Sequence, residues 1–212
     1  YFVIQSALNM DKNNYAEDLR EIKNIMSRTT KFISLSGLSG VSTGLIALLG
    51  VSVAYQLVFK DQKYLVHHPV ELSYDSIVLI LMIATGTIIL SVFSAVFFTS
   101  QKTKAQNEPV LDINTKRLLI NLLIPMVSGG LLCVLLLLKG FVGMLPSITL
   151  IFYGLALVNG SKYTLPEIRT LGIIQVIIGL LAFQFITYGL LFWALGFGVV
   201  QMVYGLIIQR KY

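Results

Sequence analysis

Between Leu171 and Ile208 the chain runs for 38 residues without one Asp, Glu, Lys or Arg. As a single helix this stretch would be about 57 Å long at 1.5 Å per residue, nearly twice the ~30 Å hydrocarbon core of a bilayer. It therefore has to fold back on itself, and Phe185–Gly189 (FITYG) is where the reversal is expected. A run of this kind excludes an ordinary soluble domain. Composition agrees, with 56% apolar and 12% charged residues where soluble domains hold about 45–50% and 25%.

Four further apolar runs stand between charged or glycine-bearing breaks, and the reversal divides the last run into two. The resulting spans lie at about 33–59, 77–100, 118–138, 141–158, 166–185 and 188–208. The expected fold is all-α: a polytopic membrane protein with six transmembrane helices in three hairpins, residues 32–212, preceded by an N-terminal segment, residues 1–31. Thirteen of the sixteen Lys and Arg fall in the N-terminus, the 101–117 and 159–170 loops and the C-terminus, against Lys60, Lys63 and Lys139 on the other side. The positive-inside rule then makes both termini cytoplasmic, as an even number of spans requires. Seven of the ten acids share that side, so the net charge of +6 resides there. The basic balance follows from topology and attraction to anionic lipid. It argues for the lipid bilayer as partner and against nucleic acid. Residues 1–9 lack the basic and apolar regions of a cleavable signal, and Met10 reads as a start.

In the N-terminal segment Tyr15, Leu19, Ile22 and Met26 repeat at helical spacing, and Asn14 with Glu17 forms a capping box. An amphipathic cytoplasmic helix is expected, lying in the headgroup region or docking on a partner. Asn114 or Thr115 is expected to cap the third span. Thr164, Pro166 and Glu167 should start the fifth near Leu165. Pro125 and Pro146 should kink or locally unwind the third and fourth spans.

The chemistry available is restricted. Every Asp, Glu, His, Lys and Arg falls in a loop, a tail or a helix end, whereas proton relays, retinal or haem attachment and intramembrane proteolysis need such groups within the bilayer. No enzyme and no cofactor is expected. The lone Cys133 excludes an intrachain disulfide and a thiolate cluster. His67, His68 and Glu71, with Asp75 nearby, are a weak candidate for a divalent metal, set against a polar loop turned by Pro69. Inside the spans the strong polar groups are neutral: Asn121, Gln175, Gln201 and, near the reversal, Gln184. Each needs a partner in lipid, as helix-to-helix glue or as the lining of a solute path. Ser128, Gly129 and Gly130, just after Pro125, are the candidate for a broken helix on such a path.

Small residues four apart form rows: Ser36, Gly40 and Gly44; Thr87, Ser91, Ala95 and Thr99; Gly143 and Ser147; Ala194 and Gly198. Such rows let helix backbones approach closely, within the chain or against another copy. Tyr55, Tyr64, Tyr74, Tyr204 and Tyr212 fit interfacial aromatic belts. Trp193, nearer mid-span, reads as a packing residue.

At YAEDLREI (Tyr15–Ile22), FISLSGLSGV (Phe32–Val41) and YGLLFWALGFGVVQMVYG (Tyr188–Gly205) the chain resembles an uncharacterised family of small six-helix bacterial inner-membrane proteins. The resemblance implies a bacterial inner membrane and carries over no functional residue. Two expectations for function follow from the residues. One is a protein that acts by assembly, as a homo-oligomer or an accessory subunit of a membrane complex. The other is a small channel or facilitator for a neutral or weakly polar solute, its path lined by Asn121, Ser128, Gln175 and Gln201.

Overall fold

The chain divides into two units, Tyr1–Lys31 and Phe32–Tyr212. The computed structural model describes residues 36–60, 65–105 and 113–211, all in the second unit. The expected N-terminal helix (Tyr15, Leu19, Ile22, Met26) lies outside the described residues, as do Lys63, Tyr64 and Tyr212.

Among the described residues all regular structure is helical, and six helices are long and apolar enough to cross a membrane. α1 is Gly37–Phe59, α-helical to Ala54 and π-helical over Tyr55–Phe59. α2 is Tyr74–Ala105 and α3 is Ile113–Leu138. α4 is Leu145–Gly160, entered through a 3-10 turn, Val142–Met144. α5 is Pro166–Gln184. α6 is continuous from Gly189–Trp193 through a π-helical stretch, Ala194–Val200, to Gln201–Lys211. Six such helices fit a multi-pass membrane protein.

The long uncharged run does reverse where expected. α5 ends at Gln184, Phe185 leaves helical geometry, and a 3-10 turn over Ile186–Tyr188 feeds Gly189. The α3–α4 turn has a different cause. Gly140 has φ +81°, a conformation that glycine adopts without steric cost. Its N–H bonds Leu137 O at 3.0 Å while Phe141 N–H bonds Leu136 O at 2.9 Å, the Schellman pair that satisfies the last carbonyls of α3. Val70 N–H then bonds Gly140 O at 3.1 Å, tying the loop after α1 onto this turn. Phe59, Leu65, Leu137 and Val142 bury one another beneath it.

Three local expectations are corrected. Pro146 does not kink α4; it sits in its first turn, where its missing N–H leaves no intrahelical bond unmade. α3 is not broken at Ser128–Gly130; it runs through Pro125 to Leu138, and the Ser128 hydroxyl bonds Ile124 O at 2.9 Å within the helix. Asn114 and Thr115 lie inside the first turn of α3, not before it. At α5, Leu165 holds the N-cap position, with Pro166 as first helical residue and Glu167 in the first turn.

Helix contacts do not simply follow the hairpins. α4 and α5 form the most intimate pair, and α1, far from α6 in sequence, packs along its length. Both contacts are glycine crossings. A Cβ on Gly154 would lie 2.6 Å from Gly172 O, and one on Gly172 would lie 2.7 Å from Gly154 O. A Cβ on Gly205 would likewise lie 2.7 Å from Gly37 O. Lipid supplies no hydrophobic drive for association, so such backbone approach and the dispersion contacts it permits stand in for it. α2 packs on α1, and α3 packs on α4.

Candidate functional site

The most developed polar site lies where α5 and α4 meet the π-helical stretch of α6. Gln175, fully buried on α5, donates its amide N–H to Gly196 O at 2.8 Å. A Cβ at Gly196 would lie 2.5 Å from both Gln175 Oε1 and Leu150 Cδ2, so a larger residue there would displace these side chains. The same carbonyl receives the backbone N–H of Gln201, five residues on, the bond that defines a π turn. The Gln201 side-chain amide lies beside Tyr153 of α4. Tyr153 packs against Phe197 with ring centroids 4.9 Å apart, and Phe197 against Trp193 at 4.7 Å. Trp193 Nε1–H donates to Thr149 Oγ1 at 3.1 Å. α4, α5 and α6 are thus joined by directional bonds as well as by packing. Among the described residues Gln175 Oε1, Gln201 Oε1 and the Ser147 hydroxyl are buried without a hydrogen-bond partner.

The other predicted polar residues go elsewhere. Asn121 bonds Arg117 O within α3 at 2.9 Å and presents its carbonyl to Asn159 of α4, whose amide N–H lies 2.8 Å away. Ser128 is exposed on α3. Gln184 is exposed at the end of α5. The structure therefore brings Gln175 and Gln201 together around Gly196, while Asn121 lies at the α3–α4 contact and Ser128 on the outer face of α3. Two open apolar depressions lie on the surface, one along Val78, Leu81, Met82, Thr85 and Gly86 of α2, the other along Tyr188, Leu191, Phe192 and Leu195 of α6. None of the four polar residues lines either.

The small-residue rows are consumed by packing inside the chain. Ser36 is buried, Gly40 meets Gly205, and Gly44 meets Met202 and Gly198 O. Thr87 fills the space beside Gly50, and Ser94 Oγ donates to Ser42 Oγ at 2.6 Å. Ser91 and Ala95 are half-buried on that same helix. Gly143 and Ser147 are buried, with Gly143 O near Gly189; Ala194 is half-buried, and Gly198 meets Leu48. At the loop after α1, His67 packs edge-on against Phe183, and His68 lies 3.4 Å from Pro69 O. Among the described residues no three His, Cys, Asp or Glu side chains gather as a metal would need.

Several participants escaped the sequence: Gly154, Gly172, Gly196, Gly205, Tyr153 and Asn159. A signal was present for the glycines, because Gly37 and Gly44, Gly172 and Gly179, Gly189 and Gly196, and Gly198 and Gly205 are each seven apart. Seven residues is two helical turns, so each pair marks one face.

Fold and site together fit a multi-pass membrane protein of six candidate spans, with neutral polar groups between α4, α5 and α6. No protein family, curated protein or solved structure matches the chain.

Proposed function

We propose that this is a non-enzymatic protein of a bacterial inner membrane, with both termini cytoplasmic, that acts by assembly as a homo-oligomer or an accessory subunit. The observation that carries this proposal is the division of the interior polar groups. Gln175 ties α5 to α6, Gln201 lies beside Tyr153 of α4, Asn121 accepts from Asn159 at the α3–α4 contact, and Ser128 bonds its own helix. Groups spent on such separate contacts do not form one path. α2 and α3 each pack chiefly on one other helix, which leaves apolar residues such as Met82, Ile89 and Phe93 on α2 and Val127 and Leu131 on α3 open to lipid or to another chain.

The test is the state of the full chain in mild detergent and in cells. With Cys133→Ser as background, a single cysteine at Met82 of α2 is expected to crosslink to a second copy or to a discrete partner. A strictly monomeric particle that crosslinks to nothing removes the proposal.

The channel reading retains one observation in its favour, the donor-less oxygens of Gln175 and Gln201. It requires Gln175→Leu and Gln201→Leu to change solute flux in liposomes. Unchanged permeability in both counts against it.

A further inference from the structure

At the basic end of the α3–α4 hairpin, exposed cations stand on two elements that pack together. Asn159 donates to Asn121 O, Asn121 donates to Arg117 O, and a Cβ on Gly160 would lie 3.1 Å from Leu118 Cδ1. These contacts hold the 3-10 turn Ser161–Tyr163 against the start of α3. Exposed Lys162 therefore shares a corner with exposed Lys116 and Arg117. Among the described residues none of these three has an acidic partner, and Glu167 is paired with Lys211. Helix polarity deepens the imbalance. Lys116 and Arg117 fall within the first five residues of α3, which has no acid in its first turn, and a helix amino end disfavours cations.

We infer that this corner binds the phosphate of an anionic lipid headgroup. The apolar span begins at Leu118, the residue after Arg117, and exposed Leu119 and Ile120 follow. The cations thus stand at the depth where lipid phosphates lie, beside surface that acyl chains cover. A planar guanidinium and two ammonium groups are suited to phosphate oxygens. Free phosphate shares this chemistry but not the adjoining apolar surface.

The test uses the full chain in neutral detergent, titrated with phosphatidylglycerol, with phosphatidylcholine of the same chains, or with inorganic phosphate, and read by native mass spectrometry. Phosphatidylglycerol is expected to bind at lower concentration than phosphatidylcholine. Substituting Lys116→Gln, Arg117→Gln and Lys162→Gln should weaken it roughly fivefold per charge removed. Arg169→Gln with Arg210→Gln, on α5 and α6, should leave it unchanged. Equal binding of the two lipids, an unaffected triple variant, or an equal loss in the α5–α6 control overturns the assignment. So does inorganic phosphate that displaces phosphatidylglycerol at matched concentration, because the ligand is then the free anion.

Discussion

The α4–α5 pair and α2 are made from similar residues and held by different means. Of their most apolar stretches, 44% of α4 and 39% of α5 is buried inside the chain, whereas none of α2 is. Yet α2 has as clear a row of small residues as any helix here. The difference is what lies opposite. Gly154 and Gly172 face each other, so backbone meets backbone, and the neighbouring Gly179 admits Leu150 and Ile151. On α2, Thr87 meets Gly50 and Ser94 meets Ser42, but among the described residues Gly86 has nothing within 4 Å of its Cβ position. A small residue allows close approach; only a small residue across from it makes the approach happen.

The largest test of this contrast places one substitution on both helices. Gly172→Ala puts a methyl group against the Gly154 carbonyl and should cost about 2–3 kcal/mol through overpacking, read by thermal or denaturant unfolding in detergent. Gly86→Ala should cost nothing and can gain up to about 1 kcal/mol from helix propensity. Equal losses at the two positions would show that α2 is packed after all.

Gly196→Ala comes next. The new methyl group meets Gln175 Oε1 and Leu150 Cδ2, both ends of flexible side chains, so the loss should be smaller, about 1–2 kcal/mol. Combining it with Gln175→Leu should give less than the sum of the two single losses, since both act on one contact. Strict additivity would separate the π stretch from Gln175.

The smallest effects concern single polar contacts. Ser94→Ala removes the one side-chain hydrogen bond seen between α1 and α2 among the described residues, and Gln175→Leu removes the bond to Gly196 O. Each is expected to cost about 0.6 kcal/mol, the usual worth of an interhelical hydrogen bond in a membrane. A loss several times larger for Ser94→Ala would mean that polar bonding, not surface fit, holds α2 in place.

Much of the fold could be read in advance because lipid imposes so simple a rule. Charge-free runs of about 20 residues mark the spans, and a run twice that length demands a reversal, which falls at Phe185–Gly189. Gly140, ending a span beside Lys139, likewise marked a turn that the positive φ explains. The site was legible only in part. Gln175 and Gln201 stood out because an amide in lipid needs a partner, but nothing in the linear pattern pointed to Gly196 O as the acceptor for Gln175. Asn121 and Ser128 looked equivalent to them, and one lies at the α3–α4 crossing while the other faces outward.

The amino-acid order alone settled what must leave water and what must stay in it: six apolar helices, their breaks, and a basic margin on one side. That follows from transfer free energies summed residue by residue along the chain, without reference to any neighbour. Which helices touch was decided only in three dimensions. Between apolar helices in an apolar solvent, transfer gives almost no preference for one partner over another, so the choice falls to surface fit. Fit is a property of two faces at once, as Gly154 with Gly172 and Gly37 with Gly205 show, and no single stretch of sequence contains both.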